Sequence, residues 1–234
     1  MSINCLIIGE SGTGKSTSMR NLDPAKTAII QTVAKPLPFK SPMRPKVAIR
    51  PDDVVDLCHK AASAGKSIIV LDDIQYVMCG EFMARSKERG FDKFTDIGAN
   101  MWKLLQTSLG LPEHVRIYLL WHSENSDGRV KVKTIGKMID EKITVEGMFS
   151  IVLRTRVQDG QYYFLTNNQG NDTTKSPYGM FPEAMIGNDL AKVDAAICEY
   201  YSLSDSGNIA GIVVDGSSKK QDSELLAEAE ATFG

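Results

Sequence analysis

The chain has 234 residues, 42% of them hydrophobic, enough to bury a full core within one large domain. A formal net charge of -2 and a pI near 6.0 exclude a chain that is basic throughout, so any nucleic-acid binding has to come from a local patch. No apolar run approaches the roughly 18 to 20 residues of a bilayer span, and Gly9 and Glu10 break the N-terminal run too early for a signal peptide.

From the N-terminus, short apolar runs alternate with longer amphipathic segments, the pattern of a parallel sheet covered by helices. Strands are expected at 3–9 (INCLIIG), 27–31 (TAIIQ), 67–73 (SIIVLDD) and 116–122 (RIYLLWH). Segment 51–65 reads as a helix with acidic residues in its first turn and Gly65 as its stop, and 99–111 reads the same way with Pro112 beyond it. After residue 122 the period changes to β-type alternation at 129–135, 149–158 and 161–168, and Asp159-Gly160 is a two-residue hairpin signal. An antiparallel extension and a closing helix over 189–203 follow. From about Ser204 the composition turns to Gly, Ser and Asp, and residues 215–234 carry five acidic against two basic residues, which reads as a linker and acidic tail. The expected organisation is therefore an α/β domain over 1–203 and a tail over 204–234. Cys5, Cys58, Cys79 and Cys198 lie far apart without metal-ligand spacing and read as reduced thiols, so a soluble, cytoplasmic protein with no membrane partner is expected.

Gly9, Gly14, Lys15 and Ser16 fit G-x-x-x-x-G-K-[ST], preceded by an apolar strand and followed by a segment able to open a helix. The residue types match the chemistry. Glycines let backbone N–H groups converge on phosphate oxygens, Lys15 neutralises the terminal phosphates, and Ser16 is placed to hold Mg²⁺. The whole loop, Gly9, Glu10, Ser11, Gly12, Thr13, Gly14, Lys15, Ser16 and Thr17, is the candidate cradle for ATP. Asp72 and Asp73 close a second apolar strand: Asp72 is a candidate for the Mg²⁺ shell and Asp73 for orienting or deprotonating water, with a helix cap or turn as the alternative. His122 and Glu124 follow a third strand end. His122 is either a γ-phosphate sensor or a structural residue, and Glu124 is a spare candidate base.

The stretches GESGTGKST at 9–17, IIVLDD at 68–73 and LLWHSEN at 119–125 resemble the RecA-like P-loop ATPases. With KPLPF at 35–39, FDKFTDIG at 91–98 and MFSIVLRTRV at 148–157, the chain is similar over roughly 3–200 to the compact ATP-binding proteins of tailed phages, some of which are single-strand annealing recombinases. The resemblance implies a RecA-like core that assembles with itself as a ring or filament, ATP between neighbours, and single-stranded DNA against two loops, here about 79–98 and 124–145. It also implies a phage-encoded protein acting in a bacterial cytoplasm. Both segments are basic in their own right: Arg85, Lys87, Arg89 and Lys93 lie with Phe91 and Phe94 in the first, and Arg129, Lys131, Lys133, Lys137 and Lys142 in the second. Cations neutralise phosphates and aromatics stack on bases; the alternative is two solvated loops with aromatics packed beneath.

RecA proteins carry an acidic residue after the second strand, where this chain offers Gln31, so the base stays open among Asp73, Glu124 and a distant group. Lys137, Lys142, Arg154 and Arg156 are candidates to reach a neighbour's ATP. The leading expectation is a Mg²⁺-dependent ATPase of phage recombination that binds single-stranded DNA. A nucleotide or small-molecule kinase is one alternative, and an ATP-gated module whose acidic tail meets a single-strand binding protein is another.

Overall fold

The structure, a computed structural model, describes residues 1–136, 139, 142–203 and 231–232. Residue Lys137 and nearly all of the expected tail, 204–234, lie outside the described residues.

Nine strands form one sheet among the described residues: β1 (Ile3–Gly9), β2 (Thr27–Gln31), β3 (Lys46–Val47), β4 (Ile68–Asp72), β5 (Arg116–Ser126), β6 (Arg129–Val132), β7 (Ile151–Gln158), β8 (Gln161–Leu165) and β9 (Met185–Gly187). Their order is β3-β2-β4-β5-β1-β7-β8-β9, with β6 pairing the far end of β5. Pairing is parallel from β3 across to β7 and antiparallel at β5–β6, β7–β8 and β8–β9. The α/β class, with a mostly parallel sheet flanked by helices and an antiparallel extension, is as the sequence led us to expect.

Side-chain alternation explains why both faces are covered. In β1, Leu6 and Ile8 point into one apolar layer, packed with residues of helices α1 (Pro51–Ser63), α2 (Tyr76–Ala84) and α3 (Asp92–Leu109). Cys5 and Ile7 point into the other, with Met19, Leu22 and helix α4 (Leu190–Tyr200). Strands buried on both faces read as continuous apolar runs, which is why β1, β2, β4 and the first half of β5 stand out in the sequence. Helix α1 begins with Pro51 at its first turn and Asp52 and Asp53 next to the positive end of its dipole. It buries Val54, Cys58 and Ala61 at helical spacing.

Three expectations are corrected. The first proposed DNA loop, 79–98, is largely helical, because α2 occupies its start and α3 begins at Asp92, leaving 85–91 as the connection. Helix α3 extends back that far because Lys93, Ile97, Met101, Leu104, Leu105 and Ser108 make one buried stripe. The segment after the glycine-rich loop forms only a six-residue 3₁₀ turn, Ser16–Asn21. Leu22 is extended, and Pro24 disfavours helical backbone at Asp23. The strand from Arg116 runs on to Ser126 and turns through Asp127-Gly128, both at positive φ (52° and 79°), into β6. The Asp159-Gly160 hairpin has the same geometry, φ 52° and 72°, between Gln158 and Gln161.

The last helix is fastened by a buried ion pair. Arg116 is 1% exposed; its Nε and Nη2 donate to Asp194 Oδ1 and Oδ2 at 2.9 and 2.8 Å, and Tyr118 Oη donates to the same carboxylate at 2.5 Å. Burial tends to lower the Arg116 pKa, but the bonds and charge of Asp194 outweigh it and raise it further. Replacing Asp194 by Ala strands a buried guanidinium, so the urea unfolding free energy is expected to fall by about 3–5 kcal/mol.

Candidate nucleotide site

Strand register puts the site together. In the β1–β5 ladder Gly9 sits beside His122, and in the β2–β4 ladder Gln31 sits beside Asp72. The C-terminal ends of β1, β2 and β4 therefore lie at one edge beside His122 of β5, and open α/β sheets bind ligands at that edge.

The loop that leaves β1 has the backbone its glycines permit. A Cβ on Gly9 would stand 1.8 Å from Thr155 Oγ1. Gly14 has φ +96°, and a Cβ there would lie 2.8 Å from the Tyr162 ring and 3.2 Å from Asn188 Oδ1. Thr155 of β7 braces the loop from below, its Oγ1 2.6 Å from that of Thr13, while Thr13 Oγ1 donates to the Glu10 carbonyl at 2.7 Å. From the other side, Arg20 Nη1 donates to the Asn188 carbonyl at 2.6 Å and Asn21 Nδ2 to Asp189 Oδ2 at 2.8 Å. Asp189 also caps α4 by accepting from the Ala191 N–H.

Lys15 is buried, and its Nζ donates to the Gly9 and Glu10 carbonyls at 2.8 and 2.7 Å, so the cation already lies in the hollow of the loop. Burial lowers its pKa to about 8 against the opposing pull of Asp73 and Asp72. Ser16 Oγ donates to Asp72 Oδ1 at 2.8 Å, and Gln31 Nε2 to Asp72 Oδ2 at 3.2 Å. The hydroxyl and the carboxylate expected to share Mg²⁺ thus face each other across the strand gap, and as oxygen donors they suit that hard ion. Burial, then the charge of Asp73, raises the Asp72 pKa over the opposing effects of Lys35, Ser16 and Gln31.

Asp73 leaves β4 in the left-handed region, φ 62°, with its carbonyl accepting from Thr32 Oγ1 at 2.6 Å. Its carboxylate is paired with Lys35 Nζ on one oxygen, and His122 Nε2 lies 3.3 Å from the other. Burial pushes its pKa up, but the bonds from His122 and Lys35 prevail and hold it at about 2. The two adjacent carboxyls are pushed in opposite directions, the arrangement that gives neighbouring acids distinct roles.

A crevice of about 240 Å³ opens between these groups, lined by Ser11, Gly12, Gly14, Lys15, Ser16 and Thr17 of the loop, and by Lys35, Asp73, His122 and Tyr162. Of the proposed site residues, the structure brings together the loop, Asp72, Asp73 and His122. Glu124 is placed elsewhere, which corrects its nomination as a base at this crevice: it lies two residues farther along β5, about 6–7 Å on, opposite Lys131 of β6 at 3.9 Å. Lys35, Tyr162 and Thr155 were missed as site residues. The fragment Lys-Pro-Leu-Pro was visible as a stiff loop directly after a buried strand, the one signal that could have raised Lys35.

The basic residues separate into two groups. Arg85 bonds Glu88, Glu81 and Asp96, and Lys93 donates to the Arg85 and Glu88 carbonyls while lying 5.3 and 5.5 Å from the ring centres of Phe82 and Phe94. Both are tied into the α2–α3 junction, and Phe94 stacks on Phe82. Lys87, Arg89, Arg129 and Lys133 are exposed, as is Phe91, at 85%. Arg154 is paired with Asp172 at 3.2 Å, while Arg156 and Lys142 are exposed. The two basic segments meet where Phe94 packs against Gly136.

Fold and site together define an α/β protein with a candidate phosphate-binding site, built on a glycine-rich turn after β1 and a buried carboxylate from a non-adjacent strand. No protein-family model matches the chain, and no curated protein matches it. Among solved structures, a KaiC-like protein of the hyperthermophilic archaeon Pyrococcus horikoshii is similar at 14% identity and a TM-score of 0.43, over 79% of this chain and 88% of that one. No helix among the described residues is long and apolar enough to cross a membrane.

The Asp73 pKa carries a sign. A carboxyl held below its ordinary value of 3.8 contributes stability fully above that value and loses it as pH falls toward about 2. The wild type's lead over Asp73→Asn in urea midpoint is therefore expected to shrink as pH falls from about 4 toward about 2.

Proposed function

We propose that the chain binds ATP with Mg²⁺ and hydrolyses it. The observation that carries this reading is the meeting, at level strand ends, of Lys15, the Ser16–Asp72 pair and the Asp73–His122 pair around one crevice. Lys15 turns from the Gly9 and Glu10 carbonyls to the phosphates, and its place in the hollow holds charge next to where charge develops in the reaction. Ser16 would hold Mg²⁺ directly and Asp72 through its water shell. Bound there, the ion would supply charge neutralisation for the phosphates. Asp73, oriented by Thr32 and His122, is the group placed to position a water for in-line attack.

The finer reading is a phage recombination ATPase that assembles with itself on single-stranded DNA and promotes annealing. It is supported by the resemblance of its motifs to the compact ATP-binding proteins of tailed phages and by a basic rim beyond the strand ends. That rim is Lys87, Arg89, Arg129 and Lys133 with the exposed ring of Phe91. The acidic tail is proposed to meet a single-strand binding protein.

Turnover with and without single-stranded DNA tests the reading. Lys15→Ala and Asp72→Asn are each expected to lower the ATPase rate by about 10²–10³-fold, and either variant turning over at the wild-type rate would refute the site. For the DNA rim, the Arg129→Ala/Lys133→Ala double variant is expected to weaken binding of an oligo-dT strand. The log–log salt slope should fall by roughly 1.4, two phosphates at about 0.7 each. Arg85→Ala should leave that slope unchanged, and a rim variant with the wild-type slope would remove the DNA reading.

A further inference from the structure

Lys35 follows β2 in the fragment Lys-Pro-Leu-Pro, where Pro36 and Pro38 fix two backbone angles and Pro36 biases Lys35 itself toward extended backbone. The backbone of this segment is stiff, so motion at Lys35 is left to its side chain. That side chain is 38% exposed, whereas its partner Asp73 is 5% exposed. The lysine can leave; the aspartate cannot follow. Lys35, Pro36 and Pro38 line the same crevice as Lys15 and Ser16.

Two lysines therefore reach one phosphate-sized space, and each is held there by the protein's own oxygens: Lys15 by two loop carbonyls, Lys35 by Asp73. The crevice's cationic side chains among the described residues are these two and, when protonated, His122; no arginine lines it. Lys15 and Ser16, the latter bonded to Asp72, form the loop side of that space. Asp73 follows Asp72 directly and itself lines the crevice, so the cation resting on it borders the same space as Lys15.

Resting on the nucleotide reading above, we infer that Lys35 distinguishes a nucleoside triphosphate from a diphosphate: it exchanges Asp73 for the outermost phosphate and thereby uncovers the Asp73 carboxylate only when that phosphate is present. A diphosphate leaves Lys35 on Asp73 and the carboxylate covered. The terminal phosphate thus frees the group that positions water.

Calorimetric titration of the full chain with Mg-ATP and with Mg-ADP tests this in the wild type and in Lys35→Ala, Lys35→Arg and Lys35→Ala/Asp73→Asn. Lys35→Ala is expected to weaken Mg-ATP by about 10- to 100-fold, the range of a hydrogen bond to a charged group, and Mg-ADP by no more than about threefold. Lys35→Arg, which keeps the charge, should recover most of the loss. The double variant should stay weak for Mg-ATP, because the phosphate contact is still missing. Full recovery there would mean that Lys35 only neutralises Asp73, and would overturn the inference. So would equal losses for both nucleotides, including a Lys35→Ala protein that binds neither. A wild type that binds neither nucleotide removes the nucleotide reading itself, whereas wild-type binding with an unchanged ATP-to-ADP ratio in Lys35→Ala removes only the role of Lys35.

Discussion

Parallel pairing of β1 with β5, and of β2 with β4, is the constraint on which the site depends. It sets Gly9 level with His122 and Gln31 level with Asp72, so groups far apart in the chain end at one edge without any loop having to reach for another. A one-residue slip would turn every side chain to the opposite face and break both apolar layers as well as the site. Packing and chemistry therefore select the same register.

At that edge the protein assembles more charge than such burial ordinarily allows. Lys15, Asp72 and Asp73 are all buried, and isolated charges are expensive in such surroundings. Each is answered locally. Loop carbonyls take Lys15, Ser16 and Gln31 take Asp72, and Lys35 with His122 takes Asp73. On the proposed nucleotide reading, these internal partners would be exchanged for phosphate oxygens and a divalent ion, so that binding would not have to desolvate bare charges. The Thr155 and Asn188 contacts meanwhile keep the loop backbone in place.

Much of this was legible in the sequence because it rests on local signals. Four apolar runs gave four parallel strands, the glycine and lysine spacing gave the loop, and Asp159-Gly160 gave its hairpin. What depended on tertiary partners was not legible. Arg85 and Lys93 look like any basic run until Glu81, Glu88, Asp96 and two phenylalanine rings are seen to surround them. Glu124 shares a strand end with His122, but the strand continues past the site and carries it away. Strands β3 and β9, two and three residues long, are too short for any period to register. Thr155 lies in a stretch that gives no sign of its role, and only the close approach of Gly9 and the contact with Thr13 identify it.

The braces of the phosphate loop also bear on how the molecule is made. The loop itself is complete within the first twenty residues, yet Thr155 of β7, Asn188 and Asp189 just before α4, and Asp194, which fastens α4, all come from the last quarter of the domain. On the ribosome the glycine-rich turn emerges first and waits, unsupported, for strands whose pairing spans more than a hundred residues. The glycine-rich turn therefore acquires its braces only when strand and loop residues from the far end of the domain have come into place.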